Sequence, residues 1–220
     1  MTDSPAAVLF DVDGTLLDTN YLHAIAWWES FLAAGEEVSC FDIHRNIGRG
    51  SPDLVQTLLG REDDAIVAGH SERWAPLRER MIPFHRAAEL LRECDRRGLR
   101  VVLATSGSPE DVEDFRAKLD CDDAVYAVVN SGDVEQSKPD PAIVHAALEA
   151  AGVGADRAVM VGDTVYDIRA ARAAGVAVIG LLGGGIGEQE LRQDEPTAIF
   201  GNCSELLDGL DDSPIGALLR

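Results

Sequence analysis

The sequence predicts an α/β protein: a Rossmann-like parallel sheet with helices on both faces and an all-helical domain inserted after the first strand. Three observations predict it. From residue 83 onward, short apolar runs alternate with helical patterns, as strand–helix–strand crossovers in a parallel sheet require. Residues 19–82 interrupt that alternation with helical spacing and no good strand. Polar, chemistry-bearing segments follow four of the strands, which is where an open α/β sheet places its ligands. The expected division is a core of residues 1–18 and 83–220 and a helical insert of residues 19–82.

Taken in order, Ala6–Phe10 is an apolar run that stops at Asp11 and reads as a buried strand. Apolar positions at helical spacing (Leu22, Ile25, Ala26, Trp28, Phe31, Leu32) predict a helix from Asn20 to Ala34, stopped by Gly35. Helical pattern continues to Met81, broken at Gly48-Arg-Gly50 and near Gly60. The core resumes with a helix at 84–97 closed by Gly98, a strand at 100–104 and a helix at 109–119. A strand at 124–129 and a helix at 141–151 closed by Gly152 follow. Next come a strand at 158–161, a helix at 166–174 closed by Gly175 and a strand at 176–180. A polar helix near 188–193, a short strand at 198–200 and a helix at 204–210 complete the chain.

Composition narrows the function. The 220 residues are 46% hydrophobic and 26% charged, values of a folded soluble domain. With 39 acidic and 19 basic residues the formal charge is -20, which repels nucleic-acid phosphates and anionic membrane surfaces. No apolar run approaches the roughly 18 residues that cross a bilayer, and the start has neither a basic region nor an apolar signal stretch, so a cytoplasmic protein is expected. Cys40, Cys94, Cys121 and Cys203 are scattered without zinc-ligand spacing, as expected of reduced, buried or half-buried thiols.

Four polar segments follow predicted strands. In Asp11-Val-Asp-Gly-Thr15, two carboxylates stand one residue apart at the end of a buried strand. Extended chain points such positions the same way, and like charges so close call for a hard cation with oxygen ligands, Mg²⁺ above all. Leu103-Ala-Thr-Ser-Gly-Ser-Pro109 sets hydroxyls and free backbone N–H groups ahead of a helix, a phosphate-holding arrangement or a plain helix cap. Ser137-Lys-Pro-Asp-Pro141 carries one of only two lysines in the chain, a cation suited to phosphate oxygens. Val159-Met-Val-Gly-Asp-Thr-Val-Tyr-Asp167 places Asp163 after a strand, as a candidate metal ligand. Asp167 stands one helical turn later, suited to orient Lys138 or a metal-bound water.

These segments, in this order, resemble the haloacid dehalogenase superfamily, in particular its phosphoglycolate phosphatase-like branch with a helical cap. The resemblance rests on Asp11-Val-Asp-Gly-Thr15, Thr105, Lys138-Pro-Asp-Pro141, and Gly162-Asp163 with Asp167, and it spans essentially the whole chain. It implies that Asp11 is a nucleophile forming an aspartyl-phosphate and that Asp13 handles the proton of the leaving oxygen. It implies Mg²⁺ held by Asp11, the Asp13 backbone carbonyl and Asp163, with Thr105, Ser106 and Lys138 gripping the phosphoryl oxygens. Asp13 argues against dehalogenation, because displaced halide needs no proton. The implied substrate is a small phosphorylated metabolite, with no nucleic-acid or membrane partner, and the expected state is a monomer or weak homodimer.

The cap is expected to choose the substrate, through His23 beside the Asp18-Thr19 hinge and through Arg49 in a glycine-flanked turn. Trp27 and Trp28 read as cap core, Gly183-Gly-Gly185 as a mobile loop near the site, and segments 17–20 and Pro83 as hinges. A sugar phosphomutase on the same core is the nearest alternative, weakened because neither lysine lies in the cap. A catalytically silent binding module is the other.

Overall fold

The sheet is built from six short, mostly apolar strands. They are β1 (Ala7–Phe10), β2 (Arg100–Ala104), β3 (Ala127–Val129), β4 (Ala158–Gly162), β5 (Ala177–Leu181) and β6 (Ala198–Phe200). In this computed structural model, which describes residues 4–220, all pair in parallel in the order β3-β2-β1-β4-β5-β6. Strand order therefore reverses between β1 and β4, which lie side by side with Phe10 opposite Val161. Between them opens the crevice where such sheets bind ligands.

Alternation along the strands builds two cores. Val8, Phe10, Val101, Leu103, Val159 and Val161 face one side. There they meet Leu90, Leu91 and Cys94 of α5 (Ala87–Arg96) and Phe115 of α6 (Pro109–Leu119). Ala7, Leu9, Val102, Ala104 and Met160 face the other, against α7 (Ala142–Ala151) and α8 (Val165–Ala173). With both faces covered, the strands carry almost no polar residues. The chain ends in α9 (Glu188–Leu191), α10 (Cys203–Asp208) and α11 (Pro214–Ala217).

Between β1 and β2 the chain forms α1 (Asn20–Ala33), α2 (Cys40–His44), α3 (Ser51–Leu59) and α4 (Asp64–Trp74), then a 3₁₀ segment at Ala75–Arg80. These helices bury a cluster of their own, including Trp27, Phe31, Ile43, Leu54, Val55 and Ile66. The two connections run side by side: Leu17 pairs with Pro83, Asp18 N donates to the Ile82 carbonyl and Phe84 N to that of Leu16. No helix among the described residues is long and apolar enough to cross a membrane.

Several expected boundaries move. β3 begins at Ala127 because a 3₁₀ turn at Asp122–Ala124 takes the first residue of the predicted strand. α5 begins only at Ala87, since Arg86 has a left-handed backbone (φ 62°) that cannot lie within a helix. α11, capped by the Ser213 hydroxyl, lies in a stretch with no predicted element. Trp27 is buried as expected, but Trp28 is 38% exposed: neighbours on a helix point in different directions, and only Trp27 shares the inward stripe.

Candidate active site

Asp11 is the first residue past β1 and donates its N–H to the Val161 carbonyl of β4 (2.9 Å). Asp163 is the first residue past β4, so the strand reversal sets these two carboxylates on adjoining strand ends. Asp163 Oδ1 accepts from the Thr15 hydroxyl (2.8 Å) and Oδ2 from Asn20 Nδ2 (2.9 Å). Asp167 is the N3 residue of α8, where Oδ2 accepts from the backbone N–H of Thr164 (3.0 Å) and from its hydroxyl (2.6 Å), closing a capping box. Its Oδ1 pairs with Lys138 Nζ at 2.7 Å. Lys138, fully buried, also donates to Asp11 Oδ1 (2.5 Å) and the Ala104 carbonyl (3.1 Å).

The strand ends thus gather Asp11, Asp163 and Asp167 so that one ligand atom from each lies within 4.8 Å of the others, all buried. One ammonium, paired with Asp11 and Asp167, stands against a cluster of three carboxylates. Burial pushes Asp11 up to about 7 against the pull of Lys138, with the charges of Asp167 and Asp13 adding to the rise. Burial, then Asp167 and Asp11, push Asp163 well above the usual carboxylate range, despite its bonds from Thr15 and Asn20. An oxygen-liganded divalent cation relieves this repulsion. Asn20 Oδ1, buried without a hydrogen-bond partner, adds a further unused oxygen beside Asp163. The backbone fits closely here. A Cβ on Gly184 would lie 1.6 Å from Asp163 Oδ2, and one on Gly14 (φ +76°) would lie 2.4 Å from it.

Asp13 corrects one expectation. Its carboxylate does not join that group; Oδ1 accepts from the Thr19 hydroxyl (2.6 Å) and lies 3.3 Å from His23 Nε2. The two-residue alternation fails because the chain leaves the strand at Asp11 and turns, with Leu16 and Leu17 N–H groups both reaching the Val12 carbonyl. Burial alone would raise the Asp13 pKa, but the hydrogen bonds of His23 and the Thr19 hydroxyl hold it below the usual carboxylate value.

Asp11, Asp13, His23, Arg49 and Ser106 all line one cleft of about 1270 Å³ between the sheet ends and the helical insert. Arg49 stacks over the Tyr166 ring (4.4 Å), and its Nε is buried without a partner. Ser106 Oγ donates to the Gly48 carbonyl (3.3 Å). Thr105 stands behind the cleft wall, its hydroxyl oxygen accepting from Gly107 N–H (2.9 Å). The loop at 183–185 packs on the site: Gly184 accepts from Asn20 Nδ2 (3.2 Å) and faces His44 Nε2 (2.9 Å).

Four residues with no role foreseen from the sequence complete the site. Thr15 and Asn20 hold Asp163. His70 and Trp74, one turn apart on α4, hold His23, whose ring stacks on Trp74 at 3.7 Å. Trp74 Nε1 in turn donates to Asp111 Oδ1 (2.8 Å), which also pairs with Arg78. The i, i+4 spacing of His70 and Trp74 shows that they share a helix face; their target lies in a distant part of the chain.

The family model for haloacid dehalogenase-like hydrolases matches residues 5–175. The chain belongs to that family. It is 30% identical over 222 residues to a phosphoglycolate phosphatase of Rhodospirillum rubrum, covering 94% of this chain and 91% of the relative. It is 31% identical over 219 residues to the pyrophosphatase PpaX of Bacillus velezensis, covering 94% and 97%. Among solved structures, a hydrolase from Pseudomonas syringae superposes with a TM-score of 0.89 at 29% identity, covering 94% of this chain and 98% of that one. CbbY from Rhodobacter sphaeroides in complex with phosphate superposes with a TM-score of 0.79 at 28% identity, covering 94% and 99%. The chain is accordingly a haloacid dehalogenase-like hydrolase whose curated relatives include phosphatases.

Proposed function

We propose that this hydrolase cleaves a small phosphomonoester in a Mg²⁺-dependent reaction that passes through an aspartyl-phosphate on Asp11. The observation that carries the reading is the gathering of Asp11, Asp163 and Asp167 where strand order reverses, with the buried Lys138 paired to Asp11 and Asp167.

Asp11 and Asp163, with the Asp13 backbone carbonyl, would hold the ion; when bound, Mg²⁺ neutralises phosphate oxygens that the acidic cluster would otherwise repel. Asp11 attacks phosphorus, and the new P–O bond forms as the ester oxygen leaves. Asp13, protonated, gives that oxygen its proton; its carboxylate then takes one from the water that displaces Asp11 from phosphorus and frees phosphate, dividing one hard displacement into two easier steps. Lys138, anchored by Asp167, aims Asp11 and meets the transferring oxygens, joined by Ser106 and Thr105 from the loop after β2. The helical segment 19–82 serves as a cap that excludes water, with Arg49 meeting the rest of the substrate.

The test is phosphate release with 4-nitrophenyl phosphate, then with a panel of phosphoglycolate, sugar phosphates and nucleotides. Mg²⁺ should support turnover and EDTA abolish it. Asp11→Asn should fold normally and lose about a thousandfold or more in kcat. Wild-type turnover persisting in EDTA, or full activity in Asp11→Asn, would contradict the reading.

A further inference from the structure

We propose that His70, on the helical insert, is a positioning residue that sets the orientation and tautomer of His23 and through it the placement of Asp13. This rests on the reading that Asp13 handles the leaving group's proton.

Three side chains stand in line. His70 Nε2 lies 3.2 Å from His23 Nδ1, and His23 Nε2 lies 3.3 Å from Asp13 Oδ1. Both rings are held against indoles: His70 stacks on Trp27 (3.9 Å between centroids, 11° between planes) and His23 on Trp74 (3.7 Å, 24°). His70 is 7% exposed within an otherwise apolar face of α4. A polar ring buried there costs stability unless it is bonded, and His23 is the partner it meets.

The donors and acceptors give the line a direction. In the base form that receives the water's proton, Asp13 only accepts, so across the 3.3 Å contact His23 Nε2 carries the hydrogen toward it. Nδ1 of a neutral His23 is then a lone pair, and His70 Nε2 must donate to it. Burial, above all, holds the His70 pKa well below its ordinary value, so His70 is the neutral imidazole this arrangement needs. Without His70, His23 keeps its stack but loses the contact that selects which nitrogen faces Asp13. His70 stands outside the acidic cluster; its contribution passes through His23.

The test compares phenyl phosphate, a poor leaving group, with 4-nitrophenyl phosphate, a good one, using the intact protein with Mg²⁺. His70→Phe keeps the aromatic stack and removes the donor. Its kcat on phenyl phosphate should fall about 10- to 100-fold, with a severalfold smaller loss on 4-nitrophenyl phosphate, whose leaving group needs less protonation. His70→Gln, which retains an N–H donor, should recover most of the difference. Equal losses on both substrates, or none, overturn the proposal. Asp13→Asn separates the layers. A leaving-group-dependent loss there but none in His70→Phe sinks this proposal alone; equal losses in Asp13→Asn sink the acid–base reading beneath it. Should His70→Phe not fold, imidazole nitrogen-15 spectra of the unaltered protein decide, with His23 assigned by His23→Gln. Nε2 protonated with Nδ1 bare is expected, and the opposite tautomer overturns the proposal.

Discussion

Lys138 is one of two lysines in a chain with 39 acidic residues, and it is fully buried. A buried ammonium persists only where carboxylates and hydrogen-bond acceptors replace its water, as Asp11, Asp167 and the Ala104 carbonyl do here. The pairing is reciprocal, since Asp11 and Asp167 are buried too. Lys138→Met should therefore destabilise the metal-free protein by about 3–5 kcal/mol, read from the urea midpoint, and a change below about 1 kcal/mol would show that the pair is not desolvated. At this scale much of the site was legible. Asp11, Lys138, Asp163 and Asp167 each follow a strand, and their residue types announce a cation and a phosphoryl group. Asn20 and His70 were not legible as site residues, because each meets its partner across a large separation in sequence (Asp163 and His23) that only the folded chain closes.

The elements deliver these side chains through their ends. β1 and β4 present Asp11 and Asp163, while α8 uses Asp167 both as its capping-box residue and as the anchor of Lys138. α6 does the same with Asp111. That carboxylate caps the helix through Ser108 and accepts from Trp74 Nε1, tying the end of α4 to the core beside His23. Asp111→Ala removes the cap interaction, leaves a buried indole N–H without its partner and leaves Arg78 with only its longer contact to Asp114 (3.6 Å). A loss of about 1–3 kcal/mol is expected from denaturant unfolding, and a loss under about 0.5 kcal/mol would show that the link is not formed in solution. The strands and most helices could be read from periodicity and glycine stops, whereas the order of the strands in the sheet came only with the fold. The turn after Asp11 could not, because strand alternation has no term for the point where the strand ends. The outward direction of Trp28 was lost in the same way, by reading a pair of tryptophans as one feature.

Across the whole molecule, the -20 charge sets the terms on which an anionic ester enters, and the cleft answers locally with Arg49, with Lys138 buried behind Asp11 and with the cation its acids invite. The same acids link metal, proton and stability. Asp11 has a folded pKa of about 7, above its unfolded value near 3.8, because burial outweighs Lys138. Its proton therefore stabilises the metal-free fold fully below 3.8, and that contribution is lost as pH rises through about 7. A cation competes for the proton's place. The Mg²⁺-induced rise in Tm should accordingly be larger at pH 8 than at pH 5. At a hundred times Kd the stabilisation is about 2.7 kcal/mol, or roughly 5–11 °C for a chain of this size. An equal rise at both pH values would place the cation away from Asp11.

The central claim, that Asp11 takes the phosphoryl group, is tested most directly by acid-quenched single turnover with a ³²P-labelled substrate and Mg²⁺, followed by tryptic mapping. The first arginine or lysine in the chain is Arg45, so Asp11 lies in the N-terminal peptide ending there. Hydroxylamine-labile label on that peptide, absent from Asp11→Asn, is the predicted result; label on another peptide, or turnover with no labelled protein at any quench time, contradicts it.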